Sequence, residues 1–209
     1  MALSASHPER EWILIGMAEC CATRGFARTT IEDVCSAAGV SRETFEREFS
    51  GLEECLGATM QSLVDAAWTA LEAVASPGRP WSITLREGAA GLLAMLAERP
   101  AFAYVALVDA RTADGRAAVL RNSARSALLE FLEHGHELAE AGVPASAASG
   151  ALAAAEALVE QRVVSGNAGE LAELAPAVVY VLAVPFLGMG EADRLAQGAR
   201  RRRHLRAVA

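Results

Sequence analysis

The segment that most constrains the fold is residues 29–49, TTIEDVCSAAGVSRETFEREF. Its apolar residues recur at a three-to-four spacing in two short runs, on either side of Gly39. That spacing is typical of helices with one buried side, and a glycine between two such runs is typical of a tight turn. The segment therefore predicts two short helices held at an angle close to the N-terminus.

Capping residues indicate where these helices begin. Thr29 or Thr30 can cap the first one, and Thr29 with Glu32 has the spacing of a capping box. Ser41 is placed to cap the second helix. Residues 10–24 show the same apolar spacing, so the pattern predicts a three-helix unit.

The remainder of the chain also reads as helix. A long helix is expected over about 52–75, and breaks rich in proline and glycine separate further helices. These are expected near 81–98, 101–112, 115–140, 145–165 and 171–188. Strands are not expected, because no segment alternates apolar and polar residues with β-branched enrichment. The fold class is all-α. The expected domains are a helix–turn–helix domain over 8–52, a larger helical domain over 53–190 and an arginine-rich tail over 191–209.

Composition and charge narrow the class of protein. The 209 residues are 53% hydrophobic but only 5% aromatic, and the net charge is −7. A net negative charge argues against a protein that coats nucleic acid non-specifically. Residues 174–190 are continuously apolar, but this run contains two prolines and is shorter than the roughly 20 residues that cross a bilayer. We expect no membrane insertion, and a cytoplasmic location because the N-terminus does not resemble a signal peptide.

The cysteines and other reactive residues do not form a recognisable catalytic or metal site. Cys20, Cys21, Cys35 and Cys55 fit neither zinc-ligand spacing nor a secreted disulfide framework. We expect them to be reduced thiols that serve as small apolar core residues, with a thiol redox sensor as the alternative. Without a phosphate-binding loop, a catalytic triad or a metal cluster, we expect no enzymatic activity, no metal and no cofactor.

Residues Ile13 to Leu56 carry a resemblance to a known family. The matching stretches are ILIGMAECCATRGF, TTIEDV and AAGVSRETF, with Phe49 and Leu56 following at the expected spacing. In order and spacing they resemble the DNA-binding domain of the TetR family of transcriptional regulators. The resemblance covers about a fifth to a quarter of the chain, and the rest is similar only in length, helicity and its VPFLG ending.

The resemblance implies an all-α homodimer that binds a pseudo-palindromic operator and releases it when a small molecule occupies the second domain. The third helix is then expected to enter the major groove. Carried over by position, the residues facing base edges are Arg42, Glu43, Thr44 and Arg47, and those holding phosphates are Thr30 and Ser41. Arginine can bond guanine and glutamate can accept from cytosine, so these residue types suit base recognition.

Two positions depart from the family pattern. Glu46 stands where a phosphate-binding tyrosine is usual, and Leu52 where a lysine is usual. Across residues 10–50, five arginines face seven carboxylates, a net charge of −2. Because phosphate neutralisation contributes much of DNA affinity, we expect weak and salt-sensitive binding. The alternative is a similar helical dimer that binds a ligand or protein and has weak or lost DNA binding.

The larger domain offers candidates for an effector site and a dimer seam. Large apolar side chains that can line a pocket for an apolar effector, or simply fill the core, are Trp68, Trp81, Phe102, Tyr104, Val108 and Phe131. The last two helices are rich in small aliphatic residues, so we expect them to form a four-helix interface between two subunits. The residues predicted for that seam are Leu152, Ala155, Leu158, Val159, Val178, Val179 and Leu182.

Overall fold

The computed structural model describes residues 8–110, 115–139 and 142–206, with side chains through Ala199. These residues are helical almost throughout and contain no strand, which confirms the all-α prediction. Contacts divide the chain into two units. The first unit comprises Met1–Asp65 and Ala101–Asn122, and the second comprises Ala66–Pro100 and Ser123–Ala209.

The helices follow one another with short connections. In chain order they are α1 (Pro8–Arg24), a 3-10 turn (Phe26–Arg28), α2 (Ile31–Ala38), α3 (Arg42–Glu48), α4 (Leu52–Glu72), α5 (Trp81–Glu98), α6 (Pro100–Tyr104) with a π-helical turn (Val105–Asp109), α7 (Gly115–Glu133), a 3-10 turn (His134–Glu137), α8 (Ala147–Val164), a 3-10 segment (Ala168–Leu174) and α9 (Ala175–Arg206). Helices α4 and α7 each contain residues of both units.

Close packing between α1 and α2 forms the centre of the first unit. Ile13, Met17 and Val34 are fully buried there. Gly16 allows the two helices to approach closely, because a Cβ at this position would lie 2.9 Å from the backbone nitrogen of Ala38. The apolar side of α1, whose residues recur at three-to-four spacing, therefore faces α2, in agreement with the predicted three-helix unit.

Two glycines form the turns that set the angles between these helices. Gly25 ends α1 with φ 78°, and Gly39 ends α2 with φ 67°. Glycine adopts positive φ without the steric cost that other residues incur. The amide of Gly39 also bonds the carbonyl of Cys35, which closes the last turn of α2.

The first unit extends beyond the domain predicted to end at residue 52. The backbone amide of Phe26 donates to Asp109 over 3.3 Å. Gly57 packs against Arg116, whose Cβ would lie 3.1 Å from an added Cβ at residue 57. These contacts join residues that are far apart in sequence, so no local pattern indicated them.

An aromatic cluster occupies part of the second unit. Trp81 stacks on Phe131 with ring centroids 5.9 Å apart and meets the edge of Phe186 at 5.5 Å. The indole nitrogen of Trp81 donates to the carbonyl of Phe131 over 2.9 Å. Gly135 fits between two of these rings, since an added Cβ would lie 2.8 Å from Phe186 and 2.9 Å from Trp81.

Helix α9 differs from the prediction of a helix that ends near 188 before a frayed tail. A break at Gly188, with φ 70° and ψ 167°, interrupts it, but helix continues to Arg206. Ala192, Ala196 and Ala199 are buried, so this stretch packs within its unit. Among the described residues, one stretch, Ala168–Ala199, is long and apolar enough to cross a membrane by length and composition. Core helices of globular proteins share that property.

Candidate nucleic-acid interface and ligand groove

Helix α3 presents one side to the interior and the other to solvent. Phe45 and Phe49 are buried with ring centroids 5.7 Å apart, and they fix the inner side of the helix. Arg42, Glu43 and Arg47 lie exposed on the other side. Thr44, the remaining residue predicted to face base edges, is half-buried.

Caps hold the start of each short helix. The hydroxyl of Ser41 accepts from the amide of Thr44 over 3.1 Å, as predicted. At α2 the capping box is one residue later than predicted, because Thr30 and Asp33 exchange bonds. The hydrogen bonds from Thr30 lower the pKa of Asp33. Thr29 is instead buried and donates to the carbonyl of Gly25 over 3.0 Å.

The two exposed arginines of α3 are held by carboxylates. Arg42 Nε donates to Glu46 Oε1 over 2.7 Å, and Arg42 Nη1 donates to Glu32 Oε1. Arg47 Nη2 donates to Glu9 Oε2 over 2.7 Å. The hydrogen bond to Glu46 raises the pKa of the Arg42 guanidinium. Glu46, which departs from the family pattern, therefore pairs with a residue predicted to read bases.

Asp109 is a buried charged residue of the first unit whose contacts the sequence did not indicate. It is buried in the π-helical turn, where its Oδ1 accepts from the amide of Phe26. Burial raises the pKa of this carboxyl group. Asp109 thus ties residues 105–109 to the loop between α1 and α2 across 83 positions of sequence.

The four cysteines are buried and free, as expected of small core residues. Burial raises the pKa of each thiol, to about 12 for Cys55. Because the thiolate is the reactive form, such thiols react slowly with oxidants. This environment argues against the redox-sensor alternative. Among the described residues there is also no group of three metal-ligating side chains.

The structure brings together two of the six residues predicted for a ligand pocket. Trp81 and Phe131 line a groove of about 660 Å³ in the second unit. Sequence reasoning missed its other lining residues, which are Arg79, Pro80, Ser82, Thr84, His134, Glu137, Leu138 and Leu187. Trp68 belongs to the same unit but is 40% exposed and does not line the groove.

The other three predicted pocket residues lie in the first unit. Phe102 is buried there, and Tyr104 and Val108 are half-buried. Their burial agrees with the alternative interpretation that they fill the core. Their role in binding a ligand stays a prediction.

The residues predicted for the dimer seam pack mostly inside the subunit, and their part in a dimer stays a prediction. Six of its seven residues are buried within the chain itself, namely Leu152, Ala155, Val159, Val178, Val179 and Leu182. Leu158 is half-buried. Side chains that already pack inside the subunit have little surface left for a partner. The small residues of α8 and α9 therefore join these two helices to each other within one chain.

The sequence matches one family model. Residues 13–59 match the model described as bacterial regulatory proteins, tetR family. This range contains residues 13–24 of α1, all of α2 and α3, and the start of α4, and it confirms the resemblance drawn from Ile13 to Leu56. A search of curated proteins gives no match.

Solved structures of several regulators have a similar fold. The fatty acid degradation regulator FadR of Bacillus halodurans superimposes with a TM-score of 0.70 at 16% identity, over 88% of this chain and 97% of that one. FadR of Bacillus subtilis, solved in complex with stearoyl-CoA, gives 0.62 at 16% identity over 85% and 98%. SmeT, the repressor of a multidrug efflux pump of Stenotrophomonas maltophilia, gives 0.63 at 20% identity over 87% and 90%. At these identities the likeness concerns the fold alone.

Proposed function

Since the chain carries the N-terminal domain of the TetR family at residues 13–59 and has the fold of TetR-family regulators, we propose that it is a ligand-responsive transcriptional repressor in the cytoplasm. It binds a pseudo-palindromic operator as a homodimer and is released by a small apolar effector. The exposed, charged side of α3 on a three-helix core is the observation that carries this proposal.

Helix α3 supplies the groups that read the operator. Arg42 and Arg47 have the donors to bond O6 and N7 of guanine, and Glu43 can accept from the amino group of cytosine. Phe45 and Phe49 hold the helix from its inner side, so the charged side is presented outward. In a dimer, two copies of α3 must stand roughly 34–36 Å apart to enter successive major grooves.

A mobility-shift assay with the chain's own upstream intergenic duplex tests this role. We expect binding that weakens as salt rises, because phosphate contacts release counterions. Arg42→Ala should abolish specific binding. Arg194→Ala on α9 is the matched control, since it removes one exposed arginine from the second unit and should leave binding intact. Absence of binding at low salt would contradict the proposal.

The outward sides of α8 and α9 form the proposed dimer seam. Ala153, Ala157 and Val164 are exposed on α8, and Ala177 is exposed on α9 beside half-buried Val181. Small and aliphatic side chains allow two helices to approach closely, and an exposed apolar side gains free energy when it is covered. This revised seam lies on the same helices as the predicted one but uses the opposite side.

Sedimentation velocity tests the seam. Val164 is 62% exposed and Val119, on α7 in the first unit, is 63% exposed. Val164→Arg should shift the protein towards monomer, because a charge cannot be buried there without a partner. Val119→Arg, with equal exposure, should leave the dimer unchanged. A wild-type chain that sediments as a monomer would contradict the seam and the repressor model.

The effector is proposed to bind the groove lined by Trp81 and Phe131. Half of its ten lining residues are apolar and half are polar, so it suits a small, largely apolar molecule that carries a polar group. Anilinonaphthalene sulfonate is a suitable probe, because its fluorescence rises in apolar sites. We expect Trp81→Ala to reduce probe binding, whereas Trp68→Ala, an exposed tryptophan of the same unit, should leave it unchanged. Equal binding by both variants would place the effector elsewhere.

One observation favours a second candidate function. Carboxylates already hold both arginines of α3, and residues 10–50 carry a net charge of −2. A helical dimer that binds a ligand or protein without binding DNA fits that charge. The mobility-shift assay at low salt separates the two functions.

A further inference from the structure

In the DNA-free chain, the guanidinium groups that face outward from α3 are already paired with carboxylates. Arg42 is 58% exposed and Arg47 is 56% exposed, yet each is in contact with carboxylate oxygen. The carboxylates that accept hydrogen bonds from them come from all three helices of the domain, with Glu9 on α1, Glu32 on α2 and Glu46 on α3. We call these three residues the carboxylate clamp.

The atoms used by the clamp are those that base recognition requires. A guanidinium can bond both acceptors of guanine through Nη1 with Nη2, or through Nε with Nη2. In the structure Glu46 occupies Nε of Arg42 and Glu32 occupies its Nη1. Because Nε has a single hydrogen, pairing through Nε and Nη2 requires that Glu46 be displaced, and Nη1 keeps one hydrogen beside the negative charge of Glu32.

The same competition applies to Arg47. Its Nη2 donates one of its two hydrogens to Glu9 over 2.7 Å, so an acceptor on DNA competes with a carboxylate held at the same nitrogen. Exposed ion pairs of this kind are weak individually, so a duplex displaces them only where it offers the arginine better acceptors. A duplex that offers two acceptors compensates for a displaced carboxylate better than one that offers a single phosphate oxygen.

We propose that the carboxylate clamp sets the sequence selectivity of α3 by competing with DNA for Arg42 and Arg47. Non-specific DNA gains too little from the arginines to displace the clamp, whereas the operator gains enough. The clamp thus lowers the affinity of the protein for every duplex, and it lowers the affinity for non-specific DNA most. This inference rests on the proposed DNA-binding function.

The test uses full-length protein and glutamate-to-glutamine variants, which remove the charge and keep the shape. The operator probe is a duplex recovered from a randomised pool by selection on the wild-type protein, and the competitor is a mixed-sequence duplex. We expect Glu46→Gln to tighten binding to mixed-sequence DNA by about two- to fivefold, the range of an exposed ion pair. The triple variant of the clamp should reduce the ratio of operator to mixed-sequence affinity.

A matched control separates the clamp from general repulsion. Glu53 is an exposed carboxylate on α4, and no described ion pair includes it, so Glu53→Gln makes the same charge change. It should alter the affinity ratio little. A second control places Glu46→Gln in an Arg42→Ala background, where its gain should disappear. If the full gain persists without Arg42, or if Glu53→Gln has the same effect, the clamp is overturned.

The outcomes also distinguish this inference from the function beneath it. Wild-type binding to the operator with an unchanged ratio in the triple variant overturns the clamp alone. Failure of every variant to bind any duplex at low salt overturns the repressor proposal and the clamp together. Circular dichroism of each variant checks that the helices are intact.

Discussion

Helices α3 and α8 use their side chains in opposite ways. Helix α3 has seven residues, is anchored by Phe45 and Phe49, and exposes a side covered with ion pairs. Helix α8 has 18 residues, and it buries Leu152, Val159 and Val163. In a helix that is held by two buried aromatic residues and a cap, the exposed residues can be changed with little loss of stability. A helix held by aliphatic packing cannot lose its inner residues without losing stability.

The largest effect in this comparison is expected from truncating a buried residue of α8. Leu152→Ala should lower the free energy of unfolding by about 2–5 kcal/mol, because it removes buried methyl groups and leaves a cavity. Urea denaturation measures the loss. The dimer dissociation constant should change by less than about twofold, since Leu152 packs within the subunit. A large rise in that constant with little loss of stability would restore Leu152 to the dimer seam. Exposed Val119→Ala, outside the proposed seam, is the control and should have little effect on unfolding.

The next largest effect is expected in the first unit, where close packing depends on backbone rather than side chains. Gly16→Ala should cost about 1–3 kcal/mol, because its Cβ meets the backbone of Ala38 at 2.9 Å. Gly150→Ala is the matched control on α8, since no described atom outside its own helix lies near its Cβ position. That control should stabilise the chain by about 0.5–1 kcal/mol, because alanine favours helix. Equal effects at both glycines, measured by thermal unfolding, would contradict the packing described for α1 and α2.

Asp109 allows a test of how the π-helical turn is held. Asp109→Ala removes the acceptor for the amide of Phe26 and should cost about 1–2 kcal/mol. Asp109→Asn keeps an acceptor oxygen and removes the ionisable group, so it should cost less.

The pH dependence of Asp109 has a definite sign. The carboxyl has a raised pKa in the folded state, so the native chain binds its proton more tightly than the unfolded chain does. Its contribution to stability is greatest below the ordinary value of 3.8 and declines as pH rises through the raised folded pKa. The free energy of unfolding of wild type relative to Asp109→Asn should therefore fall over that window. A relative stability that rises with pH would contradict a buried, proton-retaining Asp109.

The smallest effect is expected on the surface of α3. Arg47→Ala should lower the free energy of unfolding by only about 0.2–1 kcal/mol, because its pair with Glu9 is exposed to solvent. Combining it with Glu9→Gln should add little, since one substitution already breaks the pair. Chemical denaturation measures both. A loss above about 2 kcal/mol would show that this ion pair holds α3 in place, contrary to the role of Phe45 and Phe49.

The sequence alone determined the features that act within a few residues. The turn at Gly39, the Ser41 cap, the inward aromatics of α3 and the bounds of the helix at 81–98 all follow from helical periodicity, capping and backbone sterics. The same local pattern placed the residues of α3 that are proposed to face DNA. The local pattern did not decide whether Thr29 or Thr30 caps α2, because both threonines are able to cap. Packing decides it by burying Thr29.

Tertiary structure decided which sides of the helices meet. Helix α8 is apolar around most of its circumference, so its sequence did not reveal that Leu152 and Val159 face the chain's own core. The bonds from Arg47 to Glu9 and from Phe26 to Asp109 join residues 38 and 83 positions apart. Such partners depend on the packing of several helices at once, and no spacing within one helix encodes them.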